Sequence, residues 1–291
     1  MSDSSNPITS TVTQPLVRPT PVPDETEHAQ PQRSRLILEV CCETLADVRA
    51  AEQAGADRIE LCAALDVGGL TPSLGLLLGS RAAVSLPIWV MIRPRTGDFV
   101  YTPDEVEVMT RDIQLCKGAQ PAGFVFGALH PDGTINRDVC RLLLDQCGEL
   151  PAVFHRAFDR TPLLGDALSA VIELGFRRIL TSGREPTAGA GAQAITRVRN
   201  RATGQVEVLP CGQVRAENLE HLLRTTGCDQ VHGSFSEVVP IGPENGYRGY
   251  GPRMRVSREQ VAAARSELDR LAKLLSFRED VQVPTSVHPT I

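Results

Sequence analysis

Two triplets of the same form, Glu39-Val40-Cys41 and Glu60-Leu61-Cys62, each close a short apolar run, and one helix-length segment separates them. A strand, a crossover helix and a second parallel strand end as neighbours roughly 5 Å apart. The two thiols are therefore expected at one spot. Side-chain alternation puts Glu39 on the face of Cys41 and Glu60 on the face of Cys62. Two thiols without a four-ligand set suit a soft, low-coordinate ion such as Cu(I) better than structural zinc. A single buried cysteine is more often a small hydrophobe than a ligand, so the expectation rests on the pairing of Cys41 with Cys62. Cys42 alternates to the opposite face and reads as packing.

Other apolar runs also end in polar residues: Arg93, His155-Arg156, Thr181-Ser182 and His232. Buried carboxylates need cationic or hydrogen-bonding partners, and Arg93 and His155 are available. One reading is a polar plug that satisfies itself. The other is a ligand site with catalytic candidates Glu39, Glu60, Arg93 and His155, in which Arg93 clamps an anion and His155 serves as acid, base or donor. Cys116, Cys140 and Cys147 fall on helical stretches and read as packing, while the role of Cys211 stays open.

The elements that must position these groups are legible as eight apolar runs: 36–41, 58–62, 88–93, 123–126, 152–155, 178–180, 206–209 and 230–232. Segments with helical spacing lie between them, such as Leu163, Ala167, Val171 and Leu174. Gly55, Gly175 and Gly227 read as helix stops that feed the next strand. Eight strands alternating with helices predict a single α/β TIM-type (β/α)8 barrel, whose polar strand ends gather at its C-terminal face. A doubly wound open sheet is the alternative, but Cys41-Cys42-Glu43-Thr44 lacks its glycine-rich first turn.

Residues 1–34, dense in Pro, Ser, Thr and Gln, read as a disordered tail before a barrel over 35–275. Residues 233–256 read as a long Pro/Gly-rich loop insert. Ser257 opens a last helix to about Leu275, with 276–291 as a C-terminal tail. A net charge of −5 over 291 residues gives no basic surface for nucleic acid, though a small anionic ligand could use a local pocket. No run approaches a membrane span and the first residues lack a signal core, so the chain reads as cytoplasmic, with the nucleus also open to it. Its eight cysteines read as reduced thiols.

Over about Leu36 to Phe235 the chain resembles the CutC copper homeostasis family. The resemblance is carried by LEVCCET, GADRIELCAAL with GGLTPSLG, VMIRPRTGDFVY, GFVFGALHPDG, FHRAFD, LGFRRILTSG and RAENL. It implies a TIM-type barrel, copper as the partner, bound as Cu(I) through Cys41 and Cys62, and a homo-oligomer, either dimer or tetramer. Cys211 and Gln213 stand where relatives tend to have a more glycine-rich turn, and their side chains hinder a backbone anion nest. A barrel enzyme acting on a small anionic or phosphorylated metabolite is the alternative to copper handling.

Overall fold

A computed structural model describes residues 35–239 and 253–279. The expected tail over 1–34, most of the 233–256 insert and the last twelve residues lie outside the described residues.

Eight strands alternate with helices in chain order. They are β1 (Ile37–Cys42), α1 (Leu45–Gln53), β2 (Arg58–Leu61), α2 (Leu74–Ala83), β3 (Ile88–Met91), α3 (Pro103–Lys117), β4 (Gly123–Phe126), α4 (Arg137–Cys147), β5 (Ala152–Phe154), α5 (Leu164–Leu174), β6 (Arg178–Thr181), α6 (Ala192–Ala202), β7 (Glu207–Pro210), α7 (Ala216–Thr226) and β8 (Gln230–Gly233). An antiparallel ribbon, β9 (Ser236–Val238) with β10 (Met254–Val256), leads to α8 (Arg258–Glu279). The ribbon stands in what the sequence presents as plain loop, and α8 runs four residues past its expected end.

All eight barrel strands pair in parallel, in the order β7-β6-β5-β4-β3-β2-β1-β8. The circle closes where β8 meets β7, and there a side chain, Gln230 Nε2 donating to Glu207 Oε2 at 3.2 Å, spans the seam. The chain thus forms the single TIM-type barrel its strand pattern predicts.

Two cores follow from strand alternation. Val40, Cys42, Ile59, Leu61, Val90, Phe124, Phe126, Ile179 and Val208 point outward and join the large core beneath the helices. Cys62, Trp89, Met91, Val125, Val153, Leu180, Leu209 and Cys211 point inward and fill the barrel. Both faces carry apolar residues because helices cover the outside and side chains fill the inside.

Local chemistry sets the helix ends. Thr102 and Glu105 form a capping box on α3 with Pro103 in the first turn, and Thr44 Oγ1 accepts from Asp47 N at 3.1 Å to start α1. Gly175 and Gly227 end α5 and α7 at φ +86° and +65°, which favour glycine. Among the described residues no helix is long and apolar enough to cross a membrane.

Candidate functional site

Ladder register decides which inward residues meet. Cys41 pairs with Glu60, not with Cys62, and Glu39 pairs with Arg58. The two Glu-x-Cys triplets are therefore offset by two residues rather than level, because closing a barrel staggers neighbouring strands. Cys62 sits one inward position nearer the C-terminal end than the partner of Cys41.

On the other side of β1, Glu39 pairs with His232 of β8. Tilted strands stack inward residues in layers drawn from alternate strands. The registers place Glu60, Val125, Leu180 and His232 in one layer, and Cys41, Met91, His155 and Cys211 in the layer toward the C-terminal end.

Cys41 Sγ, a Glu60 carboxylate oxygen and a His232 ring nitrogen all lie within 4.8 Å of one another, and all three residues are buried. Cys62 Sγ donates to Glu60 Oε2 at 3.5 Å, so Glu60 touches the surroundings of both thiols. His232 Nδ1 donates to Glu39 Oε1 at 2.8 Å, and its Nε2 lies 3.7 Å from Glu60 Oε2.

Arg58 anchors the group from below: Nε donates to Glu39 Oε2 and Nη2 donates to Gln230 Oε1 at 2.6 Å. Arg178 pairs with Glu207 at 2.6 Å and lies over the Trp89 ring at 5.0 Å from its centroid. These residues form a charged floor at the N-terminal end of the barrel.

The electrostatics follow from burial and these neighbours. Burial acts to raise the Glu39 pKa, but the Arg58 guanidinium and then His232 hold it well below the usual carboxylate range. Burial raises Glu60, with His232 opposing and Glu39 reinforcing the shift. Burial alone would lower His232, yet Glu60 and Cys41 outweigh it and hold the imidazole well above its ordinary value. Burial and then Glu60 push the Cys62 thiol far up, and burial does the same to Cys211.

Arg93 and His155 sit apart from this group. Arg93 Nη1 donates to the carbonyls of Val67 and Gly69 at 3.1 Å each, and Nη2 donates to Gly97 O at 2.9 Å. The expected anion clamp thus spends these donors tying the loop after β2 to the loop after β3. His155 Nδ1 accepts from Ala157 N at 3.3 Å, Phe99 packs on its ring at 4.7 Å, and its buried Nε2 has no partner among the described residues.

Burial and then Arg93 push the His155 pKa down to about 3. The unfolded chain takes up a proton here below about 6.5, while the folded chain does not. The contribution of His155 is therefore complete above that pH and falls as pH drops toward 3. Between pH 7.5 and 5, urea unfolding should lose about 2 kcal/mol more in the wild type than in His155→Asn. Equal losses would remove His155 as the source.

These groups open on a cavity of about 630 Å³ at the C-terminal end. Cys41, Glu60, Met91, His155, Arg156 and His232 are among its lining residues, and the β9–β10 ribbon adds Ser236, Arg253 and Arg255. Of the metal and catalytic candidates expected from sequence, Cys41, Glu60 and His155 line the cavity. Cys62 is fully buried and outside that lining, and Glu39 belongs to the floor network.

Two residues gain weight here. His232 completes the triad, and its signal was its place at the end of the eighth strand, which a closed barrel sets beside the first. Arg156 carries a half-exposed guanidinium at the mouth.

Residues 36–237 match the model of the CutC family. A human protein named copper homeostasis protein cutC homolog is 43% identical over 206 residues, covering 71% of this chain and 76% of its own length. A CutC family protein of Agrobacterium fabrum is 42% identical over 222 residues, covering 74% and 88%. Among solved structures, a copper homeostasis protein CutC from Streptococcus agalactiae superposes with a TM-score of 0.66 at 32% identity, covering 68% of this chain and 98% of that one.

Proposed function

The chain belongs to the CutC family, and from that premise we propose that it handles copper, anchoring Cu(I) on Cys41, with Cys62 as the second thiol across Glu60 and His232 as a nitrogen donor. The reading draws on relatives named as copper homeostasis proteins. The observation that carries it is the mutual approach of Cys41, Glu60 and His232 to within 4.8 Å at the end of the barrel. Thiolate and imidazole donors suit Cu(I). Ligation needs a thiolate and a neutral imidazole, so binding displaces protons, and Glu60 stands beside these groups to take one.

Anaerobic Cu(I) titration against a competing chelator tests this. Cys41→Ser should weaken binding by about a hundredfold, close to 3 kcal/mol. A comparable loss in Cys62→Ser makes both thiols ligands. A loss confined to Cys41→Ser and His232→Gln moves the ion to the triad alone. Wild-type affinity in Cys41→Ser would defeat the copper site. Leu78 on α2 and Val108 and Leu115 on α3 are exposed apolar residues, which supports association of copies through that side.

A second reading, a barrel enzyme acting on a small anionic metabolite, draws on the unpartnered Nε2 of His155 and the Arg156 guanidinium in the lining of the same cavity.

A further inference from the structure

We propose that the barrel mouth binds a small organic carboxylate, with the Arg156 guanidinium as its anion anchor and Asp159 as the residue that positions that guanidinium. The proposal rests on reading the mouth as a ligand pocket and is independent of copper.

Asp159 is the most heavily bonded carboxylate near the mouth. Its side chain is 6% exposed and accepts from Thr181 Oγ1 at 2.5 Å, Ser182 N at 3.0 Å, Arg184 N at 3.1 Å and Arg156 Nε at 3.2 Å, while the Ser182 hydroxyl donates to Glu185 O at 2.6 Å. A buried carboxylate is costly unless its oxygens are satisfied, and here they are, by backbone and side-chain donors on β6 and the loop after it. Arg156 Nη2 also donates to Ser182 Oγ at 2.9 Å.

One edge of the guanidinium is thus fixed by Asp159 and Ser182. Nη1 has no protein partner among the described residues, and the side chain is 49% exposed while lining the cavity. A planar cation held along one edge with donors left free is suited to a carboxylate. Arg93 commits Nη1 and Nη2 to carbonyls and is not among the cavity's lining residues, so Arg156 takes the role that the sequence assigns to Arg93.

The choice of carboxylate over phosphate comes from the backbone around it. Barrels that bind phosphate use glycine-rich turns and a helix N-terminus near the last strands. At two such positions the protein packs closely on its own backbone. A Cβ at Gly191, where α6 begins, would lie 1.9 Å from the Ser182 carbonyl oxygen. The Phe235 ring packs on Gly233 at the end of β8. A phosphate dianion would meet the Arg156 guanidinium already paired with Asp159, in a lining where Glu43, Glu60 and Asp66 offset Arg253 and the Glu237-paired Arg255. The free planar edge of the Arg156 guanidinium fits a single carboxylate.

The full chain would be titrated by calorimetry and thermal shift with acetate, lactate, glycine and succinate, against inorganic phosphate and glycerol 3-phosphate. At least one carboxylate should bind saturably. Its Kd should rise about tenfold to a hundredfold in Arg156→Met and be partly restored in Arg156→Lys. Asp159→Asn should raise the same Kd when measured well below its own Tm, where loss of fold plays no part. Absence of saturable carboxylate binding, an unchanged Kd in Arg156→Met, or preference for a phosphate would each overturn the proposal. Cu(I) affinity is read separately by chelator competition, so a failure here leaves the copper reading standing.

Discussion

Arg58→Met should lower the unfolding free energy by about 3–5 kcal/mol, read from the midpoint of guanidinium denaturation at constant slope. Glu39 is 3% exposed and its charge is held by Arg58 on one side and His232 on the other. Removing the guanidinium strands a buried carboxylate and leaves Gln230 Oε1 without its donor. The loss comes mainly from that uncompensated charge, so the double variant Arg58→Met, Glu39→Gln should recover a large part of it. Additive losses in the double variant would refute a charge-pair origin. The same change should disturb His232, which takes its orientation from Glu39.

The second large effect is expected at Gly123, at the start of β4. A Cβ there would lie 2.3 Å from Trp89 Cζ3 and 2.4 Å from Pro151 O, the one a large ring and the other backbone. Trp89 lies inside the barrel under the Arg178 guanidinium, so the ring has no free direction in which to retreat. Gly123→Ala should cost about 3 kcal/mol, the upper end of overpacking losses. Trp89→Leu in the same chain should relieve the ring contact but not the carbonyl contact, so rescue is expected to be partial. A Gly123→Ala protein with wild-type stability would mean that the interior is looser than its packing implies.

The strand runs were legible because parallel strands covered on both faces become nearly continuous apolar stretches. The run at 123–126 matches β4 at both ends, and most of the others differ from their strands by a residue or two. Stagger was not legible. No local signal states how far β2 is displaced along β1, since the shear of the closed circle fixes it. Hence the level pairing of Cys41 with Cys62 expected from their matching triplets gives way to Cys41 opposite Glu60. His155 and Arg156 illustrate the same limit: the sequence marks the strand end, but only the turn after β5 turns one ring inward among Phe99 and Ala157 and leaves the neighbouring guanidinium half exposed. The ribbon of β9 and β10 escaped because each strand is three residues long and pairs across a gap in sequence.

The seam between β7 and β8 gives the triad an uneven mechanical footing. Cys41 and Glu60 lie on strands joined by a ladder, whereas β8 is laddered to β1 alone and tied to β7 by the Gln230–Glu207 side-chain bond. Local opening is cheapest where fewest backbone bonds must break. Amide hydrogens of β8 should therefore exchange ahead of those in β1 and β2. Each such opening carries the His232 imidazole away while the thiol and carboxylate stay in register, so the residence time of a bound ion would be set by breathing of the eighth strand.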